Sequence, residues 1–156
     1  MQLEKKIARQ LIATGKTISI AESCTGGLLT NRLTNIPGSS AFLLAGIISY
    51  SNTAKTKLLR IPPSLIQKKG AVSSSVAGLM AKNVRKLFDT DLSVAISGIA
   101  GPTGGSSQKP VGLVFIAVQS RKHLLVDRNL FKGSRIQIKK QAADRALELL
   151  FKIING

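Results

Sequence analysis

Leu3, Ile7, Leu11 and Ile12 recur at helical spacing and the run stops at Gly15, so residues 3–14 are predicted to form a helix. The period then changes. Residues 17–21, Thr-Ile-Ser-Ile-Ala, alternate and are β-branched, which predicts a strand, and residues 25–33 return to helical spacing until Pro37-Gly38 breaks it. Residues 41–50 form an almost unbroken apolar run, predicted as a strand buried on both faces. Ser51 and Asn52, both good caps, open a short helix through Leu59 that Pro62-Pro63 ends. A further turn of helix is expected at 64–68. Ser73 or Ser74 then caps a longer helix carrying Val76, Leu79, Met80, Val84 and Leu87, closed by Asp89-Thr90-Asp91. Residues 92–96 read as a strand, 97–110 as a long Gly-rich loop and 111–118 as a strand. A hairpin tip at Arg121-Lys122 leads to an antiparallel strand over about 124–131, and Gly133-Ser134 precedes a last helix through Ile154. Strands alternating with helices, then one hairpin, indicate an α/β fold: a three-layer α/β/α sandwich with a mixed sheet of about five strands. Ligands of such sheets sit beyond the carboxyl ends of strands, where the loops 22–27, 50–55 and 97–112 fall.

At 156 residues the chain is expected to be one domain, 1–156. Its 44% hydrophobic and 19% charged residues, with only 14 Gly and 5 Pro, exclude disordered, collagen-like and disulfide-scaffold classes. The longest apolar stretch, 41–48, is far short of the about 20 residues needed to cross a bilayer. The chain start lacks the apolar segment of a signal peptide, so a cytoplasmic protein with no membrane partner is expected. One cysteine, Cys24, and one histidine, His123, can build neither an intrachain disulfide nor a Cys/His metal cage, and no metal or cofactor is expected.

Charge sharpens the picture. Lys and Arg number 23 against 7 acids, for a net charge of +16 and a pI near 10.8. No acid lies between Glu22 and Asp89, nor between Asp91 and Asp127. Such a surface attracts a phosphate-bearing ligand, although it equally suits a cationic surface with no specific partner. A basic nucleic-acid-binding module is the alternative. Against it, aromatics are only 4% of residues, none interleaves with Arg or Lys as a stacking platform requires, and basic runs are no longer than pairs.

Each candidate loop has a chemical reading and a plain one. After the first strand, Ser23 reaches a turn in which Gly26 and Gly27 permit close backbone approach and Thr25 leads into a helix whose free amides suit an oxyanion or phosphate; the plain reading is that Ser23 and Thr25 cap that helix. In the Gly-rich loop, amides around Gly101, Gly104 and Gly105 can nest an anion with Lys109 adding charge, or the loop is simply solvated. Lys55 would fall in the first turn of its helix, where the macrodipole disfavours a cation and eases deprotonation. A neutral lysine can serve as general base to a serine hydroxyl; the plain reading is a solvated surface lysine. Other templates fail. Gly15-Lys-Thr lacks the upstream glycine of a Walker loop, Ser97-Gly98 is in no G-x-S-x-G elbow, and Ser106-Ser-Gln-Lys109 matches S-x-x-K away from any helix start. A Cys24–His123 dyad is conceivable, but His123 beside a hairpin tip is expected to be solvated.

Ala21-Glu-Ser-Cys-Thr-Gly-Gly27, Gly38-Ser-Ser40, Tyr50-Ser-Asn52 with Lys55, Gly70-Ala-Val-Ser73, and Ser97-Gly-Ile-Ala-Gly-Pro-Thr-Gly-Gly105 followed by Lys109-Pro-Val-Gly112 together resemble the C-terminal domain family of competence-damage-inducible protein A (CinA), whose members include stand-alone nicotinamide-nucleotide amidases. The resemblance spans roughly Leu3 to Phe151. It implies the three-layer mixed-sheet fold, a homodimer or similar small homo-oligomer, and hydrolysis of nicotinamide mononucleotide to nicotinic acid mononucleotide and ammonia, a pyridine-nucleotide recycling step. Carried over, the family's serine falls on Ser23, its lysine on Lys55 and its tyrosine on Tyr50. With these as the catalytic group, Thr25, Gly26, Gly27, Gly101, Gly104, Gly105, Lys109 and Arg135 are the candidates for holding the oxyanion and the substrate phosphate. Departures from the family pattern at Ser74, Thr103, Ser106-Ser-Gln108 and Lys139 remove negative charge around the pocket or exchange one cation for another, and spare Ser23, Tyr50 and Lys55. Nothing in these residues corresponds to the family's larger nucleotide-processing N-terminal domain, so its functions are not expected here. A catalytically silent relative that binds the nucleotide unconverted is the second alternative.

Overall fold

Helix ends in this chain are set by local chemistry. Ser51, Ser73 and Ser134 each accept a hydrogen bond from a first-turn amide, and Ser134 completes a reciprocal capping box with Gln137. Gly15 ends the first helix in the left-handed region, its N–H turned back to Leu11 and Ile12. In the computed structural model, which describes residues 2–156, the elements are α1 (Leu3–Thr14), β1 (Ile18–Glu22), α2 (Leu28–Thr34), a 3-10 turn (Ser39–Ala41), β2 (Leu43–Ile48), α3 (Asn52–Leu59), α4 (Pro63–Lys69), α5 (Ser74–Phe88), β3 (Leu92–Gly98), β4 (Leu113–Ser120), β5 (Leu124–Leu130) and α6 (Arg135–Asn155). The second helix starts three residues later than its spacing predicts, because Gly26 and Gly27 both adopt positive φ and keep the chain in a tight turn.

The sheet order is β2-β1-β3-β4-β5. β1 lies parallel to both β2 and β3, while β4 and β5 complete the sheet antiparallel, giving the mixed five-stranded sheet between two helical layers. Strand alternation sorts the core into two. Ile18, Ile20, Val94 and Ile96 face α1, α2 and α6 over a core that includes Ile7, Leu11, Leu29, Leu33, Phe42 and Leu147. On the other face Ala21, Ala95 and Ala117 pack against Val76, Ala77, Met80, Ala81 and Val84 of α5. Small residues there let α5 approach closely enough for sheet hydroxyls to reach its backbone: Ser19 donates to the Val84 carbonyl at 3.1 Å and Ser93 to that of Ala81 at 2.6 Å. Buried serines in mid-strand are thereby satisfied.

The apolar run at 41–50 corrects the expectation of a strand buried on both faces. β2 is an edge strand, half-buried on one side and exposed on the other, with Leu44 50% and Ile48 51% exposed. A continuous apolar run fits a central parallel strand, but β2 is at the end of the strand order with β1 as its one strand partner.

The Gly-rich loop is closed at its base by Gly112, whose N–H donates to the Ile99 carbonyl and whose carbonyl accepts from Phe131 N, both at 2.8 Å. Gly112 has φ +93, and a Cβ added there would overlap the Phe131 carbonyl, which is backbone and cannot swing away. Gly112→Ala is therefore expected to destabilise by more than about 1 kcal/mol, read as a lower urea midpoint with an unchanged m-value.

Candidate functional site

At the carboxyl ends of the parallel strands, the ladders on both sides of β1 continue past its last residue. Ser23 N donates to the Ile96 carbonyl at 3.0 Å, and Ser49 N to the Glu22 carbonyl at 2.9 Å. Ser23 is thus held between the ends of β2 and β3. Behind it, the fully buried Glu22 accepts four hydrogen bonds: from Thr25 Oγ1 at 2.6 Å, Leu29 N and Thr30 N at 3.0 Å, and Thr30 Oγ1 at 2.7 Å. This carboxylate ties the turn after β1 to the first turn of α2 and uses the amides there. Its role went unread in the sequence, although one signal was present: it is the only acid between Glu4 and Asp89.

Lys55 is the fourth residue of α3, and it turns inward. Only 1% exposed, its Nζ lies 2.9 Å from Ser23 Oγ, 2.9 Å from the Ser49 carbonyl oxygen and 3.2 Å from that of Tyr50. No carboxylate is among these partners. Burial pushes the Lys55 ammonium below the usual lysine range, with Cys24 opposing. The same burial pushes the Cys24 thiol up to about 11, so the sulfur beside the serine stays protonated. His123 sits in the exposed hairpin at the opposite end of the sheet, where Leu92 of β3 pairs with Ser120 of β4, and makes no dyad with Cys24.

Ser23 and Lys55 open onto a cavity of about 260 Å³, also lined by Tyr50, Asn52, Ala71, Ser97 and the loop from Gly98 to Gly104 except Pro102. The N–H groups of Ala100, Gly101, Thr103 and Gly104 have no partner within the protein among the described residues. Arg135, at the start of α6, closes one side: it donates to the Tyr50 phenol oxygen at 2.9 Å and to the Gly101 carbonyl at 2.6 Å. Of the residues singled out in the sequence, Ser23, Lys55, Tyr50, Gly101, Gly104 and Arg135 meet here. Tyr50 contributes in two directions, its carbonyl to Lys55 and its phenol to Arg135. The others lie elsewhere. Thr25 is buried on Glu22, Gly26 and Gly27 face Lys139 and Ile48, Gly105 packs on Val111, and Lys109 Nζ donates to the Lys69 carbonyl at the end of α4. Asn52 and Ser97 are lining groups that sequence reading did not single out, whereas the unbonded amides of Gly101 and Gly104 belong to the loop it offered as an anion nest. Two larger grooves along α3, of about 410 and 450 Å³, are lined by neither Ser23 nor Lys55. Among the described residues no three His, Cys, Asp or Glu side chains converge, and no helix is long and apolar enough to cross a membrane.

A three-layer domain with a buried serine–lysine pair at its strand ends is the class that fold and site define. The sequence profile of the CinA C-terminal domain matches residues 1–154, and the chain belongs to that family. It is 49% identical over 149 residues to a CinA-like protein of Syntrophus aciditrophicus and 47% identical over 150 residues to one of Geotalea uraniireducens. The alignments cover 95% and 96% of this chain but 36% of each relative, so the chain spans little more than a third of their length. Among solved structures, a CinA superfamily protein from Klebsiella pneumoniae superposes with a TM-score of 0.94 at 33% identity, covering 98% of this chain and 96% of that one. The competence/damage inducible protein CihA of Agrobacterium tumefaciens gives 0.92 at 36% identity, covering 100% and 98%.

Burial of Lys55 makes stability depend on pH in a known direction. Because the folded state holds the lysine proton less tightly than the unfolded chain, the penalty is full at low pH and is relieved as pH rises from the lowered folded value towards 10.5. Urea unfolding from about pH 7 to about pH 10 should show wild-type stability rising relative to Lys55→Met, which lacks the titrating group; parallel curves would mean that the amine is not held neutral.

Proposed function

We propose that this protein is an amidohydrolase that converts nicotinamide mononucleotide to nicotinic acid mononucleotide and ammonia. One observation carries the reading: the buried Lys55 Nζ lies 2.9 Å from Ser23 Oγ while the Ser49 and Tyr50 carbonyls hold it from behind. A neutral amine has two N–H groups and one lone pair. With both N–H groups donated to the carbonyls, the lone pair points at Ser23, and the hydroxyl donates to it. Lys55 is then a general base in place.

Ser23 Oγ attacks the carboxamide carbon as Lys55 takes the hydroxyl proton. Lys55 returns that proton to the departing nitrogen, the C–N bond breaks, and ammonia leaves behind an acyl ester on Ser23. Water attacks the ester with Lys55 again as base; the C–O bond to Ser23 breaks, and serine and carboxylic acid are regenerated. The unbonded N–H groups of Ala100 to Gly104 suit the oxyanion. Arg135 at the cavity rim suits the phosphate, since a guanidinium recognises it by paired hydrogen bonds.

Ammonia release from nicotinamide mononucleotide is the direct test. Ser23→Ala and Lys55→Met are each expected to lower kcat by about 1,000-fold or more; turnover surviving in either would remove that residue from the chemistry. A wild-type protein that binds the nucleotide without releasing ammonia is the silent relative instead. The rate should also follow the lysine: kcat/KM is expected to rise with pH, with a midpoint below 10.5, as Lys55 loses its proton.

Tyr50→Phe separates the two contributions of that residue. The backbone carbonyl that holds Lys55 is kept and the hydrogen bond to Arg135 is lost, so KM should rise by about tenfold with kcat changed little. A collapse of kcat would place the phenol in the proton transfers.

A further inference from the structure

The two helical layers handle charge differently. Residues 52–88, which hold α3, α4 and α5, include eight Lys or Arg and no Asp or Glu. Lys55 is buried and Arg85 donates to the Thr90 carbonyl at 2.9 Å, which leaves Lys57, Arg60, Lys68, Lys69, Lys82 and Lys86 exposed on this layer. All seven acids of the chain are engaged elsewhere. Glu4 and Asp144 pair with Arg32, Asp89 and Asp91 with Arg121, Asp127 and Glu148 with Arg145, and Glu22 holds the turn after β1. Among the described residues no salt bridge reaches a cation of α3, α4 or α5.

Within this layer one groove joins the charge to apolar surface. Of about 410 Å³, between the end of α3 and the last turns of α5, it is lined by the buried Leu59, by Leu58 and Leu87, which are 48% and 54% exposed, and by Arg60 and Lys86. Asn83 donates to the Leu59 carbonyl at 2.7 Å and so ties the two helices that form its sides. Arg60 ends α3 at φ +54, in the left-handed region where glycine is the usual residue. A side chain held there is strained; what the position supplies is a guanidinium in the groove.

We propose that this groove docks an acidic segment of another protein, with apolar side chains of that segment on Leu58, Leu59 and Leu87 and its carboxylates meeting Arg60 and Lys86. Such segments lay one apolar face into a groove while charge fixes their orientation. Charge complementarity selects this occupant. A second copy of a chain at +16 would bring cations against cations. RNA would meet the cations and leave the leucines against sugar and phosphate, and a flat lipid headgroup layer would leave the groove unfilled. None of the groove residues lines the cavity of Ser23 and Lys55, so the proposal stands whatever reaction that cavity performs.

Fluorescence anisotropy with the full chain at physiological salt tests it. One labelled probe is a helical peptide of glutamates carrying leucines at every third and fourth position; in the other, serine replaces each leucine. The first is expected to bind, and the second to bind at least about tenfold more weakly, since burial of its leucines is lost. Arg60→Gly removes the guanidinium and suits the left-handed backbone, so it should weaken binding of the leucine peptide by at least about tenfold without lowering the urea midpoint. Lys140→Gln removes one charge as well, from the exposed side of α6 on the opposite layer, and affinity should be unchanged. The proposal is overturned if the leucine peptide does not bind, if the two peptides bind equally, or if Lys140→Gln weakens binding as much as Arg60→Gly does. It is equally overturned if polyuridylate or phosphatidylglycerol vesicles bind more tightly than the leucine peptide and are the ligands that Arg60→Gly loses.

Discussion

Everything at this site depends on a lysine amine being kept out of water with no carboxylate to neutralise it. A buried ammonium without a counter-charge is unfavourable, and the direction of relief is loss of the proton. Two features keep water away: α3 begins directly after β2, which brings Lys55 back over the strand ends, and Ser23, Ser49 and Tyr50 fill the coordination that solvent would otherwise supply. The partners that remain, two carbonyls and a hydroxyl, are uncharged.

The acids of the chain are arranged consistently with this. Glu22, one residue from the serine, has its oxygens taken up by four donors of the turn and of α2. The carboxylate therefore acts as a structural anchor that fixes where Ser23 points. The cationic excess is divided in a comparable way. Lys109 is used to cap the end of α4, whereas Arg135 faces the cavity between the Tyr50 phenol and the Gly101 carbonyl. A net charge of +16 draws anions to the whole molecule, but only the second of these cations stands where a ligand could meet it.

Most of the architecture was legible in the sequence because it is written in local signals. Cap residues at Ser51, Ser73 and Ser134, the left-handed Gly15, and the switch from helical to alternating spacing mark elements whose cause lies within a few residues. What failed was non-local. The run at 41–50 could not announce that it would lie at an edge, since apolar content speaks to burial and not to the order of strands in the sheet. The turn at Thr25 to Gly27 has the composition of an anion cradle, but its threonine and the amides following it are engaged by Glu22, a competition visible only when the chain is folded. For Lys55 the helix position was readable and the burial was not: a four-carbon stem reaches solvent or core equally well, and the fold decides.

Both oxygens that hold the lysine from behind belong to the backbone at 49 and 50. Side-chain replacement at either position leaves them in place. Alignment of the serine–lysine pair is therefore inherited from the pairing of β2 with β1, where Ile48 stands opposite Glu22. A slip of one residue along that ladder would displace the carbonyls by about 3.3 Å and turn each β2 side chain to the opposite face. Fidelity of the serine–lysine geometry in this molecule is thus a matter of strand registration, tolerant of sequence drift around the lysine and intolerant of insertion or deletion in the strand before it.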